Sequence, residues 1–451
     1  MIRDARDVAH STTSDLAIQH YETALEQFQS YRGDALATID AALAADPSFA
    51  SAHLFRAFAL YTLSEKKYLT DVAAALDAAR TLSPGMTARE RLLLAAGDQL
   101  VRYEWDEACR TLEAVLVDYP RDALAVQTAH LMDFFRGDAL NLRNRVARVL
   151  PHWSAQLPGY SYVLGMFAFG LEECNQYREA ETTARRALDL EARDGWAVHA
   201  VTHVMEMQGR IDEGIAWLES REQVWAPDNG FAFHNWWHLA LFYLDKGNVD
   251  RVLHLYDTAI QPEPAVFALG LVDATALLWR LKLEGVDVGD RWEGVASNWE
   301  QRLEIERGHY PFNDLHAMLS FAATGRAAAA GRLQLDLQAT AVEGAGGART
   351  MARDVGLPLA LGIRAYARQD YAAAAELIHA TRDTAHRFGG SHAQRDLLSL
   401  TLIDAAHRAG RAALARHVLA ERQVLKPTAW SERLAARVGA GDSSHLHSVA
   451  A

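Results

Sequence analysis

Cysteine is nearly absent: Cys109 and Cys174 are the only two in 451 residues. That excludes a disulfide framework and suits a reducing compartment. An excess of positive charge is missing too. A net charge of −13 and a pI near 5.8 leave no basic face for nucleic acid and disfavour anionic membrane surfaces. No apolar run approaches the roughly 20 residues that cross a bilayer. The opening MIRDARDVAHSTTSD has no apolar stretch, so no secretory signal is expected and the expected location is cytoplasmic. Strict alternation of β-branched residues is lacking, which excludes a substantial sheet. No G-x-S-x-G elbow and no catalytic cysteine context occur, so a conventional hydrolase nucleophile is unsupported. The Gly-rich EGAGGART at 343–350 follows no strand, so it reads as a surface loop rather than a phosphate cradle.

What is present is helix. Half of the residues are hydrophobic, and apolar positions recur three and four apart in stretches such as ALATIDAALAADP and REAETTARRALDL. Prolines that stop helices fall at Pro47, Pro84, Pro120 and Pro158, with spacings 84 − 47 = 37, 120 − 84 = 36 and 158 − 120 = 38. Spacing of this kind, with small residues at tight helix crossings, is the signature of tetratricopeptide-like repeats. The expected fold is therefore all-α, a helical-hairpin solenoid curled around a central polar pocket. Its expected divisions are an N-terminal segment (1–15), repeats (16–260), an irregular helical region with the Gly-rich loop (261–350), C-terminal helical hairpins (351–440) and a disordered tail (441–451).

Two His-x3-His pairs stand out. His199 and His203, followed by Glu206, lie in HAVTHVMEMQGR, and His234 and His238 lie in HNWWH. The offset between pairs is 234 − 199 = 35 residues, about one helix–turn–helix repeat. Residues four apart share a helical face, so each pair makes a polar stripe, and Glu206 extends the first by one turn. Asp194 is placed to cap the first helix. The turns at Asn175, Gly209 and Gly247 are 209 − 175 = 34 and 247 − 209 = 38 apart, so the second pair is shifted by about one helical turn.

His199, His203, Glu206, His234 and His238 are candidates for acid–base catalysis, and also for holding a divalent first-row metal. The spacing is less specific than HExxH, where the glutamate sits between the histidines as a base. Buried imidazoles satisfied by the backbone or by each other are the plainer alternative. Of Trp236 and Trp237, about 100° apart on the helix, one is expected in the core and the other beside the histidines.

Further candidates lie downstream. HYPFNDLHAM supplies His309, Asn313, Asp314 and His316, and ARDVGLPLALG supplies Arg353 and Asp354. GGSHAQRDLL places Gln394, Arg395 and Asp396 behind a Gly-Gly turn, where a helix start and an arginine could hold a carboxylate or phosphate. The competing reading has Ser391 or Asp396 capping that helix while Arg395 pairs with an acid.

At these blocks the chain resembles the tetratricopeptide repeat protein 38 family. The matching segments include STTSD, AADPSF, HAVTHVMEMQGR, HNWWHLALFYLDKG, LEGVDVGDRW, FNDLHAM, ARDVGLPL, GGSHAQRD and LKP. The resemblance spans nearly the whole chain and implies an all-α tetratricopeptide-like fold. It carries over no catalytic role. It does sharpen the residue choice, adding Asn235 and Asp273 to the histidines, Glu206, Trp237, Asn313, Asp314, His316, Arg353, Asp354, Gln394, Arg395 and Asp396.

Three functions compete. The first is a polar pocket, lined by the five histidine and glutamate candidates, that binds a small molecule and supports catalysis. The second is a non-catalytic scaffold that holds a peptide or partner helix in its groove. The third is a metal-dependent hydrolase or oxygenase. Clustered histidine and carboxylate suit chemistry better than peptide affinity, because unpaired polar groups cost desolvation energy. Substrate, cofactor and oligomeric state are not written in the sequence.

Overall fold

The computed structural model describes residues 1–263 and 267–446. The protein is all-α and built of helical hairpins. The sheet among the described residues is one antiparallel ladder, pairing Ile2–Arg3 with Ala9–His10. The chain divides into two compact units. One is Met1–Val201 with Arg221–Ala232 and Ala345–Gly347; the other is Thr202–Ser220 with Phe233–Gly344 and Ala348–Ala451. The helix Gly195–Met207 runs through the division between Val201 and Thr202.

The first unit stacks hairpins that begin with Asp15–Ser30 and Ala35–Ala45 and end with Tyr160–Glu173 and Tyr177–Leu190. Side-chain caps start several of its helices. Ser14, Asp34, Asp122 and Asp138 each accept a backbone N–H, and Thr87 with Glu90 forms a reciprocal capping box. Gly170 marks one tight crossing: a Cβ there would stand 2.6 Å from Arg143 Cα on the neighbouring hairpin. Arg89 ties the amino-terminal ladder to this stack. It donates to Asp122 at 2.7 Å and to Ser51 at 2.6 Å, and lies 3.1 Å from His10 Nδ1.

The second unit contains Ala232–Asp245, Ala268–Leu283, Pro311–Thr324, Leu357–Ala367, His392–Arg408 and their partner helices. Across 261–350, expected to be irregular, two helical hairpins stand: Ala268–Leu283 with Arg291–Glu306, and Pro311–Thr324 with Ala327–Glu343. Trp279 and Trp299 in this stretch are core residues. Trp279 donates to Thr401 at 3.0 Å and Trp299 to Thr275 at 2.9 Å, both buried. In EGAGGART, expected as a loop, Gly344 ends one helix and Gly346–Met351 begins another. The helix Ala429–Leu446 enters the stretch expected to be disordered, and 447–451 lie outside the described residues.

Gly209 is required by its place. Its φ is +68°, and a Cβ would collide with the carbonyl oxygen of Pro427. That close approach sets Lys426 beside the helix that carries Glu206. Among the described residues, no helix is long and apolar enough to cross a membrane.

Candidate histidine and carboxylate centre

The helices Gly195–Met207 and Ala232–Asp245 carry the two histidine pairs. Asp194 starts the first of them, accepting from the N–H groups of Trp196 at 3.0 Å and Ala197 at 2.9 Å. Within the second unit, His203, His234 and His238 come together. The His203 and His238 rings have centroids 4.4 Å apart, and those of His234 and His238 are 4.8 Å apart. One nitrogen from each of the three lies within 4.8 Å of the others. His203 and His238 are fully buried and His234 is 8% exposed.

Two carboxylates brace these rings. His238 Nδ1 donates to Glu206 Oε2 at 2.6 Å, and His234 Nδ1 donates to Asp273 Oδ2 at 2.6 Å. The other oxygen of Glu206 accepts from Lys426 Nζ. Burial would raise the Glu206 carboxyl, but Lys426 and His238 hold it well below the usual carboxylate range. Burial lowers His238, with Glu206 pulling the other way. It also pushes His203 well down, and neighbouring His238 adds to the effect. The pair is therefore a charged Glu206 and a neutral His238 with its proton on Nδ1.

Glu206 thus acts as a brace for His238 rather than as the third donor of a His199–His203–Glu206 stripe. A helical face shows which side chains share a side, but not which bond a carboxylate will make. His199 stands one turn before His203 on the same helix. Its ring packs among Phe169, Trp196 and Phe231, each with its centroid 5.1 Å away.

Trp237 is the buried member of its pair. It lies flat against His234, with centroids 5.3 Å apart and planes 13° from parallel, and Arg280 sits 5.3 Å from its ring. Arg280 is itself buried. Desolvation lowers it to about 10, and it donates to the carbonyls of Ala276 at 3.1 Å and Ala393 at 2.7 Å.

Asn313, Asp314 and His316 are buried on Pro311–Thr324. His316 Nδ1 donates to the Phe312 carbonyl at 2.8 Å, and burial lowers the ring to about 4. Asp273 raises the ring slightly and Arg280 lowers it.

Two further candidate segments find partners close in sequence. Arg353 is an exposed side chain that pairs with the adjacent Asp354 at 2.6 Å, on a turn of π-helix at Ala352–Gly356. An Arg-Asp dipeptide on such a turn satisfies itself. The helix start at GGSHAQRD is capped by its own residues. Ser391 and Gln394 form a reciprocal capping box, and Arg395 donates to the Gly390 carbonyl. Asp396 turns instead to Arg422, at 2.7 and 2.8 Å, with Lys426 at 3.8 Å.

Lys426, Arg280 and Arg422 escape a search for spaced motifs, because each is isolated in its own segment. Lys426 lies in the LKP block, and Asp273 is the one acid within the apolar ALGLVDATALLW; both were legible signals.

No protein-family model matches the chain. Among solved structures, the chain is similar to a human IFIT1 dimer with PPP-AAAA, at 12% identity, covering 92% of this chain and 95% of that one, with a TM-score of 0.44. It is similar to yeast Tom70 at 12% identity, over 95% and 96% of the two chains, with a TM-score of 0.34. The TPR domain of P58(IPK) is 14% identical over 88% and 99%, with a TM-score of 0.21. At these values the likeness concerns the helical-repeat fold alone.

Proposed function

We propose that the second unit binds a small molecule at His203, His234 and His238, and that imidazole lone pairs supply the chemistry there. The observation that carries this reading is the pair of carboxylate braces, Glu206 on His238 and Asp273 on His234, each at 2.6 Å. A carboxylate on Nδ1–H fixes the tautomer, makes the ring more basic and directs the Nε2 lone pair to the opposite side. A third imidazole, His203, lies edge-on beside His238. Buried polar groups cost desolvation energy, and concentrating them is a feature of functional sites. The same reading places the chain in the cytoplasm as a tetratricopeptide-like protein of the protein 38 type, supported by its two unpaired cysteines and by the sequence blocks around the histidines.

Native mass spectrometry tests it. The full chain and a His234→Ala variant are incubated with the low-molecular-weight fraction of a cell extract. The proposal expects a small adduct on the parent that the variant loses while keeping its helicity. A parent that takes up no small molecule but captures a peptide, equally in the variant, would favour the scaffold instead.

A further inference from the structure

We infer that His203, His234 and His238 together hold one divalent first-row metal ion, with Glu206 and Asp273 as outer braces rather than ligands. This rests on the proposed function of the same centre and names what occupies it.

Three observations and the chemistry of the donor set carry the inference. The donors are already gathered: one nitrogen from each ring lies within 4.8 Å of the others. Metal–nitrogen bonds of ~2.0–2.1 Å at tetrahedral angles put ligand nitrogens about 3.4 Å apart. Small rotations of the three side chains close that gap.

The rings also come from a suitable framework. His234 and His238 are one turn apart on a single helix, and His203 faces them from another, so two rigid elements set three ligands.

The orientation is that of metal-binding histidine. A ring that ligates through one nitrogen characteristically gives its other N–H to a carboxylate, and both His234 and His238 do so through Nδ1. Glu206 has its two oxygens engaged with His238 and Lys426, which leaves it outside the ligand set.

Finally, a donor set of imidazoles selects zinc, copper, nickel or iron over magnesium and calcium, which take oxygen. Where three protein ligands hold zinc, its fourth position is left for water or a substrate atom. In that position the ion would activate water or polarise a carbonyl or phosphoryl oxygen of the bound small molecule.

The test is made on the full, tag-free chain purified without chelator, then stripped and titrated with Zn2+ and with Co2+. Elemental mass spectrometry should find about one metal per chain, and Co2+ should give the visible spectrum of tetrahedral nitrogen coordination. The His203→Ala and His238→Ala variants should lose both signals. Glu206→Gln and Asp273→Asn, which keep the three ligands, should bind roughly 10–100-fold more weakly. Circular dichroism shows whether each variant is folded, and the two brace variants keep the test decisive if a histidine variant is not.

A folded parent that takes up neither ion would overturn the inference. So would metal that persists unchanged in both the histidine and the brace variants, since it would then sit elsewhere. A small-molecule adduct lost in His234→Ala without any metal removes the metal and leaves the proposed function. A metal with no adduct does the reverse.

Discussion

The two units each bury a polar cluster, and the clusters differ in kind. In the first, Arg89 is matched by Asp122 and joined by Ser51 and His10, so cation, anion and hydroxyl close a knot between segments distant in sequence. In the second, the carboxylates Glu206 and Asp273 meet imidazoles, and a third imidazole sits beside them. The first arrangement pairs a guanidinium with a carboxylate and acts as a fastening. The second gathers three imidazoles around its two carboxylates. Burial alone does not mark a functional centre, then; the kind of group gathered there does.

The largest effect should come from breaking the first cluster. Arg89→Ala leaves Asp122 buried beside no cation, which costs about 3–5 kcal/mol. A fall in the urea midpoint at unchanged slope would report it. A loss under about 1 kcal/mol would mean that the knot does not fasten the fold.

Asp194, also in the first unit, gives a comparable effect that depends on pH. Burial pushes its carboxyl up to about 7, against the pull of the Ala197 and Trp196 N–H groups. The unfolded value is near 3.9. Between those values the folded state holds the extra proton, so stability is greatest at the acid end and falls as pH rises toward 7. The loss is about 4 kcal/mol at ~1.4 kcal/mol per pK unit, and it levels off above pH 7. Asp194→Asn retains a capping oxygen and should flatten this dependence in denaturant titrations between pH 4 and 8.

How much of this was legible in the sequence varies by residue. Helical period and proline spacing announced the all-α fold, because both are local properties of the chain. The His-x3-His pairs announced themselves for the same reason, and Asp194 did so as a cap. Which carboxylate meets which ring did not. Glu206 bonds a ring 32 residues away and Lys426 reaches it from 220 residues away, and no local period encodes such closures. Arg353 and Arg395 looked like ligand anchors but were satisfied by Asp354 and the Gly390 carbonyl, within five residues. Trp279 and Trp299, within the stretch expected to be irregular, are buried in regular helices. Thr275 and Thr401 accept two of their N–H groups and make the burial affordable.

Two smaller effects separate framework from function in the second unit. Gly209→Ala puts a Cβ into the Pro427 carbonyl and a side chain at φ +68°, a cost of about 1–3 kcal/mol. It should also weaken binding at the centre, because Lys426 is held there; a thermal melt with parallel ligand titration would read both. His203→Leu, a replacement of similar size in a fully buried position, should change stability by less than about 1.5 kcal/mol. The same variant should lose the small molecule and the metal. If it unfolds the protein instead, His203 belongs with Arg89 as a fastening and the contrast between the units collapses.

The most direct measurement is the tautomer of His234 and His238, read from long-range nitrogen–proton NMR correlations of histidine-labelled, metal-free protein. Both rings should carry the proton on Nδ1, given to Asp273 and Glu206, with Nε2 unprotonated. Rings protonated on Nε2 instead would contradict the account, since the lone pairs would then face the carboxylates and the centre would have nothing to offer a ligand.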